Sequence, residues 1–150
     1  MKLEPHVVSF QAACVDCGAH AEVTYVAAVA LPALRVSGSL RCARCACAQE
    51  WDGDALLDEA REAFIRAEGR WGAFVGELGA NRMGALRVLR TLHDGPPGAA
   101  AAMLDPRTAL LEGARVEVER IQAVFAAAGV PVIECRLLEP PSDGAPVSRP

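Results

Sequence analysis

The residues of this 150-residue chain best suited to chemistry are two cysteine pairs, Cys14-Val15-Asp16-Cys17 and Cys42-Ala43-Arg44-Cys45. There are 24 residues between Cys17 and Cys42. A Cys-x-x-Cys turn aims both sulfurs at one point. Two such turns make the closed four-sulfur tetrahedron that holds structural Zn²⁺, so Cys14, Cys17, Cys42 and Cys45 are the expected ligands of one zinc ion. A sphere filled by sulfur leaves no open position for a catalytic water. An iron site with the same ligands usually has prolines and aromatics around its turns, and these are missing here. A redox role needs only one pair, and two pairs favour a metal. Cys47 reads as a spare thiol or as a substitute ligand for Cys45, and His20 as a turn residue.

Composition narrows the classes. The net charge is −4, which does not favour a general nucleic-acid binder with a basic face. Residues 1–50 and 71–138 are each charge-balanced, whereas 51–70 set three arginines against six acids. Six cysteines behind an N-terminus without an export-signal pattern predict a reducing, cytoplasmic setting and a metal in preference to disulfides. The longest mostly apolar run, Val23 to Leu34, is too short to span a bilayer and contains Pro32.

The pairs must be positioned by strands. Val7–Ala13 and Ala21–Leu31 read as strands on either side of the first pair. Pro32 interrupts the second, and Val36–Arg41 returns through a turn at Ser37-Gly38-Ser39 to the second pair. Strands flanking paired cysteine turns resemble the zinc-ribbon class, and residues 1–50 are expected to be a β zinc ribbon ordered mainly by its metal. Residues 51–70 read as a connecting helix capped by Asp54, with Asp58 and Glu59 in its first turn and Gly69 ending it.

From Trp71 the pattern changes. Trp71–Glu77 reads as a strand, and Asn81 as the N-cap of a helix reaching about His93. On a helical wheel, Ala85, Val88, Leu89 and Leu92 form a face to be buried, and Arg82, Met83, Leu86, Arg87 and Arg90 lie opposite. Two apolar side chains among three arginines suit a protein-binding surface, an apolar centre ringed by charge. The plainer alternative is a helix buried on both sides with its arginines extended to water. A short helix from Ala99 to Leu104, a strand at Thr108–Glu112, a helix at Glu117–Ala128 capped by Gly129 and a strand at Val132–Leu138 follow. The tail, 139–150, has four prolines and is expected to be disordered.

The strand-helix-helix-strand-helix-strand order, with Gly79-Ala80-Asn81-Arg82, the arginine-spaced helix to Arg90, Leu111-Glu112-Gly113 and Phe125-Ala126-Ala127-Ala128-Gly129, resembles the C-terminal domain of the bacterial large-subunit ribosomal stalk protein. The resemblance covers residues 71–138 and implies an α+β domain with a three-stranded antiparallel sheet. It also implies a helix face that binds translational GTPases, which maps onto Arg82, Met83, Leu86, Arg87 and Arg90. The sequence departs from the family at Ala99 to Ala102, where lysines are usual, and at Gly95-Pro96-Pro97-Gly98, which replaces a glycine-leucine-glycine turn. A dimerisation domain and hinge are replaced by the cysteine-rich segment. The expectation is a non-enzymatic, zinc-binding interaction protein, associated with the ribosome or translation, with a protein partner. The competing readings are a nucleic-acid-binding ribbon carried by Arg35, Arg41 and Arg44, and a protease adaptor of related fold. No nucleophile–base set or phosphate loop suggests an enzyme.

Overall fold

The computed structural model describes residues 3–96 and 98–142. Among these residues, seven strands form two antiparallel sheets. A four-stranded meander runs β1 (His6–Ala13), β2 (His20–Ala30), β3 (Ala33–Arg41), β4 (Ala48–Gly53), with neighbours in chain order. A three-stranded sheet has the order β6-β5-β7, from β5 (Arg70–Val75), β6 (Leu111–Gly113) and β7 (Ile133–Glu139). The helices are α1 (Asp58–Glu68), α2 (Arg82–Leu92), the four-residue α3 (Ala99–Ala102) and α4 (Arg115–Ala127). The chain is therefore α+β, and after α1 its elements run strand, two helices, strand, helix, strand. No helix among the described residues is long and apolar enough to cross a membrane.

Period-two alternation builds the meander. Ala21, Val23, Tyr25 and Ala27 of β2 point to one face and are buried, joined there by Val8, Leu34, Val36 and Leu40. Against this face pack Ala60, Ala63, Phe64 and Ile65 of α1, with Ala114 and Val116 from the start of α4. Tyr25 stacks on Phe10 and meets Trp51 edge-on at 5.6 Å. The first 50 residues thus share a substantial apolar core, and the expectation that a metal supplies nearly all of their order is corrected.

The second core lies on one face of the smaller sheet. Ala73, Val75 and Ile133 of the strands meet Ala85, Val88 and Leu89 of α2, and Val118, Ile121 and Phe125 of α4. The helix α4 belongs to both cores: Val116 turns to the meander, Val118 and Phe125 to the smaller sheet. Gly84 lets α2 approach Val130, since a Cβ there would collide with a methyl of that valine.

Several expectations are revised. Ser37-Gly38-Ser39 is mid-strand, not a turn; Gly38 is required because the Trp51 ring lies across its α-carbon, where any Cβ would collide with it. Residues 51–53 complete β4, so the helix expected over 51–70 begins only at Asp58, after Leu57, and Asp54 caps nothing. The apolar side of this helix, Ala60, Ala63, Phe64 and Ile65, is buried against the meander. Asn81 ends a short 3-10 turn and its side chain makes no cap bond. Leu86 was expected in solvent but is half-buried at the margin of the second core, and Leu92 is half-buried where full burial was expected. Glu139 closes β7, and Ser142 N–H donates to the Arg66 carbonyl, while the rest of the expected tail, 143–150, lies outside the described residues.

Candidate metal centre

In an antiparallel meander the first and third connections fall at the same end of the sheet. Ala13 pairs with His20 and Arg41 with Ala48, so the Cys14–Cys17 and Cys42–Cys45 loops close adjacent hairpins at that end. The two loops share one backbone design. Cys14 N–H donates to the Ala19 carbonyl at 2.7 Å, and Cys42 N–H to the Cys47 carbonyl at 2.9 Å. The residue after the second cysteine is left-handed in both: Gly18 has φ 69° and Ala46 has φ 58°. Cys47 therefore occupies the position of Ala19, where the turn uses only the carbonyl.

The four sulfurs of Cys14, Cys17, Cys42 and Cys45 all lie within 4.8 Å of one another. Two cross-loop pairs, Cys14–Cys45 and Cys17–Cys42, are separated by 3.6 Å. A tetrahedron of thiolates about 2.3 Å from a zinc ion has edges of about 3.8 Å. The two closest pairs are therefore near the spacing of such a tetrahedron, and far beyond disulfide bonding distance; all six cysteines are free thiols.

The local field favours the thiolate at the first cysteine of each pair; at the second, Cys17 and Cys45, the backbone N–H bonds are outweighed by burial and the neighbouring thiols, which push the thiol up, to about 12 at Cys45. Backbone N–H groups of Cys17 and Asp16 point at the Cys14 sulfur and lower its pKa to about 6. The N–H of Cys45 does the same for Cys42, which is also lowered. The first cysteine of each pair is buried, while Cys45 is exposed, so the centre sits at the surface end of the sheet. Cys47 lies outside the four-sulfur cluster, and the neighbouring Asp16 carboxylate pushes its thiol up to about 12.

The arginine face expected on α2 is present in part. Arg82, Arg87 and Arg90 are exposed and Met83 is 59 % exposed, while Leu86 turns partly into the core. This face belongs to the second sheet's layer and contributes nothing to the cysteine cluster.

Sequence reasoning missed a second polar cluster. The His6 ring is held between two carboxylates: Nδ1 contacts Glu68 of α1 at 2.9 Å and Nε2 contacts Glu119 of α4 at 2.9 Å. Burial alone would lower its pKa, but Glu119 and Glu68 outweigh that and raise it to about 9, so the ring is an imidazolium with both nitrogens donating. Arg115 also binds Glu119, at 2.8 Å, and lies 5.0 Å from the Trp71 ring centre. Nearby, Arg61 of α1 grips Glu117 of α4 through Nε at 3.0 and 3.1 Å, and Glu117 Oε2 accepts the Ala114 N–H at the start of α4. These partners are 62, 113 and 56 residues apart in the chain, and no local pattern announces them. Comparison with known proteins yields no matching family model, no matching curated protein and no matching solved structure.

Proposed function

We propose that this chain is a non-enzymatic interaction protein in which a structural Zn²⁺ bound by Cys14, Cys17, Cys42 and Cys45 fixes the end of the meander, and in which the exposed face of α2 meets a protein partner. The observation that carries the metal assignment is the convergence of four sulfurs within 4.8 Å. Four thiolates would complete a tetrahedral ion, leaving it structural and without an open site. Holding both loops by one ion would tie β1–β2 to β3–β4 at their free end.

The partner reading rests on α2. Arg82, Arg87 and Arg90 surround the exposed Met83, with Leu86 supporting it from the core margin. An apolar centre ringed by guanidinium groups suits a partner surface with an apolar knob and acidic rim. A translational GTPase is the partner that the stalk-domain resemblance implies, and it makes the binding test specific.

Two measurements test the reading. Purified protein should contain about one zinc per chain, lost in Cys14→Ser or Cys42→Ser and retained in Cys47→Ser; protein that neither carries zinc as purified nor takes it up when zinc is supplied contradicts the assignment. Titration of a purified translational GTPase should show binding that weakens on the order of tenfold in Arg87→Glu and in Met83→Ala. Affinity unchanged by both substitutions would remove α2 as the contact face.

A further inference from the structure

A sheet edge exposes a row of unused backbone N–H and C=O groups, and proteins usually guard it. Three of the four edges here are guarded. Strand β6 is only three residues long. Strand β4 carries two exposed acids, Glu50 and Asp52, and no base, so a second β4 would meet like charge, whereas β7 carries both signs in Glu134 and Arg136. Strand β1 is bound by α1 through His6 and Glu68. Strand β7 is different: it is seven residues long, ends the order β6-β5-β7, and is exposed continuously from Arg136 to Glu139. Two consecutive leucines, Leu137 and Leu138, are 48 % and 38 % exposed there.

We propose that β7 pairs antiparallel with β7 of a second copy of this chain, about a two-fold axis at Cys135, joining two three-stranded sheets into one of six.

The backbone is oriented for it. Gly76 N–H donates to the Val132 carbonyl at 2.7 Å. Because antiparallel pairs alternate, the Val132 carbonyl and the backbone groups of Glu134 and Arg136 are directed at β5, and Ile133, Cys135 and Leu137 direct theirs at the open edge. Pairing about Cys135 sets Cys135 opposite Cys135 and Ile133 opposite Leu137, so the outward groups meet outward groups. The Ile133 carbonyl already accepts from Gln122 Nε2 at 3.1 Å, and its second lone pair remains for the ladder.

The side chains select the register. About Cys135, each Glu134 faces the other copy's Arg136 and Leu137 lies opposite Ile133. The Glu134–Arg136 pair already formed within one chain at 2.6 Å becomes part of a four-charge network. A two-fold axis at Arg136 would oppose arginine to arginine and Leu138 to Glu134. An axis at Glu134 would oppose glutamate to glutamate. Of the three axes along Glu134 to Arg136, charge complementarity favours the one at Cys135. One edge strand per copy buries less than a standard interface, so the dimer is a concentration-dependent one.

Sedimentation velocity of the full chain, with reductant present and from micromolar to near-millimolar concentration, tests this. A reversible dimer is expected. Arg136→Glu should place glutamate opposite glutamate and shift the association midpoint upward by about tenfold or more. Glu134→Arg alone should do the same, and the double exchange Glu134→Arg with Arg136→Glu should restore the dimer. Far-UV circular dichroism should show all three variants folded. A chain monomeric throughout, a double exchange that fails to restore association, or a dimer broken by Arg87→Glu instead would overturn the proposal.

Discussion

Replacing His6 should remove a pH-dependent contribution to stability whose sign and range follow from the geometry. The ring bridges Glu68 and Glu119, with Arg115 on the far side of Glu119, and its side chain is only 10 % exposed. An unfolded histidine titrates at 6.5, and the folded one at about 9. A raised pKa in the folded state means that the protonated form is favoured by folding. The contribution is therefore complete below pH 6.5 and is lost as pH rises through about 9. A difference of about 2.5 units corresponds to at most about 3.4 kcal/mol. Glu68 and part of the ring environment remain open to water, and screening reduces this to about 1–2 kcal/mol. The assay is urea unfolding of the wild type and His6→Gln across pH 6 to 9.5, at fixed zinc. Thiol titration acts on both proteins and cancels in the difference. The wild type should be the more stable by about 1–2 kcal/mol at pH 6, and the gap should close toward pH 9.5. A gap constant across that range, or one that widens, would refute the bridged imidazolium.

Three further expectations concern packing and backbone. Gly38→Ala should destabilise by about 1–3 kcal/mol because the new methyl meets the Trp51 ring, yet be neutral or stabilising when Trp51 is already alanine; a double-mutant cycle by thermal unfolding reads this reversal. Ala46→Gly should raise stability by up to about 1 kcal/mol by relieving a left-handed alanine, and Gly18→Ala should lower it by about 1–2 kcal/mol, although no atom lies near the added methyl; equal effects of the two would contradict the shared loop design. Leu86→Ala should cost about 1–3 kcal/mol, as suits a half-buried leucine, and Met83→Ala under about 0.5 kcal/mol; chemical denaturation separates them.

What could be read from the sequence was what repeats locally. The cysteine spacing named the sulfur cluster, and the Val, Thr, Tyr and Ala content of Ala21 to Leu31 named the strand β2. Gly69 and Gly129 marked helix ends that the structure confirms with φ values of 87° and 74°. Strand β4 was not legible, because Ala-Gln-Glu-Trp-Asp-Gly carries no β-branched residue and is held by its pairing with β3. Gly38 misled for the opposite reason: between two serines it reads as a turn, and only the ring of a tryptophan 13 residues later explains it. Leu86 was misplaced because a wheel divides a helix into two faces, while α2 has a margin where one residue serves both. His6 was invisible, since its partners come from two helices far along the chain.

The sharing of α4 between two cores has a consequence for the order of events during synthesis. The meander and α1 are complete by Glu68, and both cysteine pairs have left the ribosome well before α4 is made. Yet Val116, which closes the meander's core, and Glu117 and Glu119, which receive Arg61 and His6, arrive almost fifty residues later. The nascent amino-terminal half must therefore wait with an uncovered apolar patch and a histidine bound on one side only. A metal ion captured early would hold that half in register during the delay, and the last helix would then lock two sheets in a single step.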